Sequence, residues 1–233
     1  MVVDVKPHDK FAGIYVATIE DGTQKLATKN LATGKSVYGE RLVLWQDIEY
    51  RIWDPFRSKL AAAILKGLGT VPIQPGHRVL YLGAASGTTA SHISDIVGVD
   101  GQVYCIEFSA RSIRELVNNV CTVRPNITPL LEDARMPQHY TMYVSTVDDI
   151  YCDVAQPEQA KILADNADAF LKKEGWVILA IKSQSIDVTK EPSEVYRRET
   201  KTLKTRGFAI ADVVNLEPYE KAHLLVVAKF ESG

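Results

Sequence analysis

Residues 79–92, VLYLGAASGTTASH, decide how this chain is read. An apolar run gives way to a cluster of small residues and then to what looks like a first helical turn. That order marks a strand–turn–helix junction. The pattern Gly83-Ala84-Ala85-Ser86-Gly87-Thr88-Thr89 lacks the full glycine spacing of the dinucleotide fingerprint and the lysine of a phosphate-binding loop. Alone it leaves several nucleotides open. It also allows a plain tight turn in which Gly83 and Gly87 serve only close helix–sheet packing.

The flanking sequence narrows the choice. Expected strands at 79–82, 103–108, 127–131, 149–154 and 176–182 alternate with expected helices at 56–67, 110–123, 157–171 and 193–205. This implies a Rossmann-like α/β fold with a mostly parallel sheet covered on both faces. Two late strands, 209–216 and 223–230, are joined by a Pro-containing loop too short for a crossover helix, so they should pair antiparallel. Ahead of these, the β-type runs 14–19, 42–45 and 48–53 are punctuated by Asp21-Gly22, Thr33-Gly34 and Gly39. The expected organisation is a small antiparallel β domain over 1–54 and an α/β domain over 55–233, with the break at Asp54-Pro55.

The composition, 46% hydrophobic and 24% charged, is that of an ordinary globular chain. No apolar run reaches the ~18 residues of a membrane span, and MVVDVKPHDK does not read as a secretory signal. Cys105, Cys121 and Cys152 lack C-x-x-C spacing, and the first and last lie in apolar runs. They read as core residues in a reducing, intracellular and cytoplasmic setting, with neither a cysteine nucleophile nor a metal site expected. The formal net charge of −2 gives no bulk attraction to nucleic acid. A nucleic-acid substrate would have to be gripped by a local basic face or by a partner.

Ligands of open α/β sheets sit beyond the carboxyl ends of the strands. The residues expected there are Gly83–Thr89, then Glu107, about two dozen residues past the turn, where a carboxylate can receive both ribose hydroxyls. Glu132-Asp133-Ala134 follow the third strand, Asp153 and Ala155-Gln156-Pro157 the fourth, and Lys182 the fifth. Each has a plainer explanation: Glu107 as a helix-start acid, Asp133 as a turn cap, Asp153 and Lys182 as an ion pair between strand ends. Their convergence on one edge argues for a site. The small turn, the ribose carboxylate and a further acid for a base amine suit S-adenosylmethionine better than a dinucleotide. The antiparallel last strand likewise suits the class I methyltransferase version of the sheet.

The segments VYGE, DPFRSKLAAAI, VLYLGAASGTT, EDAR, DVAQP and LEPYEKAH, in order from about residue 36 to residue 223, resemble fibrillarin. The chain has no long Gly/Arg-rich N-terminal tail, so the resemblance is to the shorter archaeal form. It implies the methyltransferase of box C/D guide-RNA particles, acting on ribose 2′-hydroxyls of rRNA and tRNA. It implies a catalytic set of Lys59, Asp153, Lys182 and His223. The implied cofactor contacts are Gly83, Ala85, Thr88, Thr89, Glu107, Phe108, Asp133, Ala134, Asp153, Val154, Ala155 and Gln156. Implied partners are a Nop-domain scaffold protein, a kink-turn-binding ribosomal-type protein, the guide RNA and the substrate RNA.

A ribose hydroxyl is a weak acid and needs an acceptor close by. Lys182 could act as base only if it loses its proton; Asp153 opposes that, so it is expected to hold Lys182 and the hydroxyl in line. His223 could accept or relay the proton. Candidate RNA-facing residues are Arg51, Arg57, Lys59, Arg197, Arg198, Lys201 and Lys204, balanced by acids. Weak RNA binding by the isolated chain is therefore expected. Two competing readings are a nicotinamide-dependent dehydrogenase and a non-catalytic assembly subunit. Protein glutamine, modified by the eukaryotic family, stays open as a second acceptor.

Overall fold

Short β-type runs separated by glycine turns fold as hairpins, because each strand leaves an edge for the next to pair with. In the computed structural model, which describes residues 2–187 and 189–231, this part is a five-stranded antiparallel sheet. Its strands are β1 (Val2–Pro7), β2 (Ile14–Ile19), β3 (Gln24–Lys29), β4 (Leu42–Trp45) and β5 (Ile48–Ile52), in the order β1-β2-β3-β5-β4. β1 and β3 were not expected from the sequence. β1 is an edge strand ending in a proline, and β3 carries polar residues at both ends, so neither shows a clean alternation.

The Asp54-Pro55 break is a turn in which Asp54 Oδ1 accepts the Phe56 N–H at 2.9 Å. Helix α1 (Lys59–Leu65) therefore starts later than expected, capped by Ser58, and buries Leu60 to Ile64. Then follow β6 (Arg78–Leu82), α2 (Thr88–Val97), β7 (Gln102–Glu107) and α3 (Ala110–Leu116), the last continuing as a π-helical turn, Val117–Cys121. After β8 (Ile127–Leu131) come β9 (Val147–Cys152), α4 (Gln159–Phe170), β10 (Leu171–Lys182), the short α5 (Ser183–Ile186), α6 (Pro192–Thr205), β11 (Phe208–Asn215) and β12 (His223–Phe230). β10 begins before residue 176 because the chain bulges around Glu174 and Gly175, slipping the β9 register between Leu171 and Trp176.

The second sheet has seven strands in the order β11-β12-β10-β9-β6-β7-β8. The strands from β10 to β8 pair parallel, and β12 is antiparallel to both β10 and β11. The chain winds outward from β6 to β8 and then returns to place β9 on the other side of β6. The order reverses between β6 and β9, and their carboxyl ends are where a ligand crevice belongs. Alternate residues serve opposite faces: Val79 and Tyr81 of β6 pack with α1 and α2, while Leu80 and Leu82 pack with α4. Ile14 and Leu26 of the first sheet, with Phe11 and Trp53 beside its strands, join the former core. The cysteines are core or half-buried residues, and burial pushes the Cys152 thiol up to about 12 and that of Cys121 to about 11.

A buried polar network joins the first sheet to α2. Arg51, expected among the RNA-facing residues, is fully buried instead. Its Nε donates to Glu40 Oε1 at 2.6 Å, Nη1 to Asp95 Oδ2 at 2.7 Å, and Nη2 to Ser91 Oγ at 2.8 Å. Arg124, also buried, donates to Asp95 Oδ1 at 3.0 Å and to Asn30 at 2.9 Å. Thr28 Oγ1 donates to Asp95 Oδ2, because a carboxylate only accepts, and so it must accept from His92 Nδ1 at 2.8 Å. That leaves His92 Nε2 to accept the Tyr38 hydroxyl at 2.8 Å. Burial pushes that phenol up to about 12, so it keeps its proton.

Burial first, then the charges of Arg51 and Arg124, hold His92 well below its ordinary 6.5. The unfolded chain protonates this imidazole near 6.5 while the folded chain does not. Below that pH the unfolded state binds more protons, so stability falls with pH by about 1.4 kcal/mol per unit. Denaturant midpoints between pH 6.5 and 5.5 should therefore fall more steeply for the parent than for His92→Gln. Parallel slopes would show that His92 carries no such linkage.

Candidate active site

Gly83 ends β6 at φ 80°, a left-handed value that favours glycine. A Cβ there would lie 3.0 Å from the Asp153 carbonyl oxygen and 3.1 Å from Val154 Cα. Its absence lets the ends of β6 and β9 approach each other. Gly87, at φ 94°, serves a different purpose, since a Cβ there would meet Leu116 Cδ1 at 2.5 Å and Val120 Cγ2 at 2.9 Å. For Gly87 the packing explanation holds; Gly83 belongs to the crevice.

Glu107 closes β7, and its buried carboxylate accepts the Ala85 N–H at 2.9 Å and the Ser109 N–H at 2.8 Å. It thus ties the glycine turn to the start of α3. The helix cap is Ser109, whose hydroxyl accepts from Ser112 N–H at 3.2 Å. A cavity of 280 Å³ opens above this floor. Of the implied cofactor contacts, Gly83, Ala85, Glu107, Phe108, Ala134, Asp153, Val154, Ala155 and Gln156 line it, and so does Lys182.

Thr88, Thr89 and Asp133 lie outside the lining. Thr89 is buried toward α1, its hydroxyl donating to Ser58 Oγ at 3.0 Å. Asp133 is clamped by Arg135, whose Nε lies 2.9 Å from Oδ2, and this pairing holds its carboxyl below the usual value. Glu132, expected at the end of the third strand, also lines the cavity, as do Ile106, Ser109 and Ser112, which were not singled out from the sequence. The serines could have been found from helix geometry, since positions three apart on the first turn of α3 share one face beside Glu107.

The four implied catalytic residues come from four element ends. Lys59 opens α1, Asp153 follows β9, Lys182 closes β10 and His223 opens β12. Asp153 sits between two ammonium groups: Lys59 Nζ is 3.2 Å from Oδ2, and Lys182 Nζ is 2.8 Å from Oδ1. Lys182 directs its hydrogen bond at the Asp153 carbonyl oxygen, 2.6 Å away, so Oδ1 has a charge contact but no aligned donor among the described residues. Lys182 and His223 are register partners across β10 and β12. His223 Nδ1 lies 2.7 Å from the Lys221 carbonyl, which only accepts, so Nδ1 carries a proton, and in the neutral ring the lone pair is on Nε2.

The lining is rich in acceptors. Asp153 Oδ1 and Gln156 Oε1 are buried without aligned donors among the described residues, and the Glu107 carboxylate faces the same space. Such a site fits a ligand with a ribose diol, an ammonium and a positive sulfur, as S-adenosylmethionine has.

Comparison with known proteins agrees. The fibrillarin family model matches residues 5–232. The fibrillarin-like rRNA/tRNA 2′-O-methyltransferase of Staphylothermus marinus is 58% identical over 230 residues, 99% of this chain and 98% of that protein. The structure of Aeropyrum pernix fibrillarin with natively bound S-adenosyl-L-methionine superposes with a TM-score of 0.92 at 53% identity, covering 98% of this chain and 99% of that one. A fibrillarin in complex with Nop5p gives a TM-score of 0.82 at 42% identity, covering 93% and 97%. With a shared fold, a glycine turn that closes on Asp153, and a match along almost its whole length, this chain belongs to the fibrillarin family.

Proposed function

We propose that this chain is the catalytic subunit of a box C/D guide-RNA particle and methylates the 2′-hydroxyl of rRNA and tRNA ribose. The observation that carries the residue assignment is Asp153 held between the ammonium groups of Lys59 and Lys182 at the wall of the cavity. Glu107, the Gly83–Ala85 turn and residues 153–156 would hold S-adenosylmethionine. That cofactor supplies a methyl group on a positively charged sulfur, which leaves as a neutral thioether.

The chain's own residues supply the acceptor side. Asp153 pairs with Lys182 and aims its ammonium, so Lys182 orients the hydroxyl oxygen rather than deprotonating it. Nε2 of neutral His223, next to Lys182 across the strand pair, takes the hydroxyl proton as the oxygen–methyl bond forms. The net charge of −2 supports delivery of RNA by other subunits: a Nop-domain scaffold, a kink-turn-binding protein and the guide. The relative in complex with Nop5p supports the first of these. A cytoplasmic location accompanies this reading.

Reconstitution with scaffold, kink-turn protein and a guide tests it. Labelled methyl should pass to a matched RNA and not to the same RNA with a 2′-deoxy target. Equal labelling of both would sink the ribose-hydroxyl assignment.

A further inference from the structure

A second groove, of 660 Å³, lies between the first sheet and the approach to α1. Three cations line it, Lys25, Arg41 and Arg57, all exposed and without an ion pair among the described residues. Its acids are already bonded. Glu40 takes Arg51 and the amides of Val37 and Tyr38, and Asp54 takes the Phe56 N–H. The groove therefore offers net positive charge to a ligand.

Four aromatic rings, Tyr38, Trp53, Phe56 and Tyr219, also line it. Phe56 is 62% exposed and meets Tyr219 edge-on at 5.1 Å between centroids. The Arg57 guanidinium lies 5.8 Å from the centroid of the Tyr38 ring. Trp53 also lines the groove, and its buried indole N–H has no partner among the described residues. A donor buried without a partner is costly unless a ligand or water supplies an acceptor.

The chain order links the groove to the implied acceptor residues: its lining residue Arg57 lies two positions before Lys59, and Tyr219 four before His223. Positive charge beside the exposed face of Phe56 matches a sugar–phosphate chain better than a peptide. The basic residues of α6, by contrast, line neither cavity, and Arg198 is paired with Glu199. Resting on the function proposed above, we infer that this groove holds the backbone of the acceptor RNA strand beside the target nucleotide. Lys25, Arg41 and Arg57 contact its phosphates, and Phe56 packs against a sugar or base.

The test uses the reconstituted particle carrying Arg41→Gln and Arg57→Gln together. Thermal melting and S-adenosylmethionine affinity should match the parent, because neither residue lines the cofactor cavity. KM for the acceptor RNA should rise about tenfold at near-constant kcat, and the dependence of log binding on log salt should flatten by about one to two. Acceptor-RNA binding, measured without methyl donor, keeps the two proposals separable. A salt slope flattened by the substitutions in a particle that transfers no methyl would sink the reaction and leave the groove standing. Unchanged KM and salt slope in an active particle would overturn the groove. So would unchanged RNA binding with loss of scaffold association, which would make the groove a protein-docking site.

Discussion

Lys182→Ala is expected to lower methyl transfer at saturating substrates by about 10³-fold while leaving S-adenosylmethionine affinity within a few-fold of the parent. The side chain bridges Asp153 Oδ1 and its carbonyl oxygen, so its loss frees the carboxylate toward Lys59 alone. Nothing else in the wall need move. The Lys182 backbone N–H is held separately by Gln159 Oε1 at 3.0 Å, and β10 keeps its pairing with β9 and β12. Melting should shift by no more than a few degrees. Lys182→Arg keeps the charge, but a planar fork cannot reproduce one ammonium shared between two oxygens of the same residue, so it should rescue little. Single-turnover kinetics beside calorimetry with the cofactor separate the cases. Loss of both transfer and cofactor binding would make Lys182 structural, and undiminished transfer would remove it from the mechanism.

Asp95→Ala should be the most damaging substitution outside the cavity. Its carboxylate is fully buried between Arg51 and Arg124 and also accepts from Thr28 Oγ1 and the Leu31 N–H. Arg51 would keep Glu40 as counter-ion, but Arg124, whose Nε and Nη1 have no partner among the described residues, would keep none. Stranding a buried cation costs about 3–5 kcal/mol. For a chain of this size that lowers the melting temperature by on the order of 10 °C. Asp95→Asn retains the shape and one acceptor and should fall between the two. A melting temperature for Asp95→Ala within about 2 °C of the parent would show that the network relaxes at little cost.

Hydrophobic period and strand-end position made the α/β part legible, along with Glu107, Asp153 and Lys182. The parallel strands are buried on both faces and read as apolar runs, and the residue just past each run lands on the ligand edge by topology alone. β1 and β3 escaped because their stability comes from pairing rather than from their own alternation. Arg51 was misread because charge in a sequence carries no record of burial. The hint was its place on β5 between Tyr50 and Ile52, which are both buried. The Lys59–Asp153 contact spans 94 residues, and spacing gives no sign of it; Lys59 and His223 entered through the family resemblance. The second groove was invisible because short pieces of the first sheet, the 38–41 loop, residues 53–57 ahead of α1, Leu65 at its end and Tyr219 build it together. Family membership sets aside the dehydrogenase that the glycine turn alone allowed.

β12 runs against both of its neighbours, so the edge of the sheet where the other strands finish is where this one starts. A parallel strand in the same slot would bring Phe230 to the crevice and leave His223 at the far rim. The ribosome also makes β10 and β11 before β12, so until β12 threads between them both offer unpaired edges to other chains. Closing that gap completes the sheet and delivers the histidine in one event. With the role proposed for His223, a nascent or truncated chain that lacks β12 is at once inactive and exposed to aggregation.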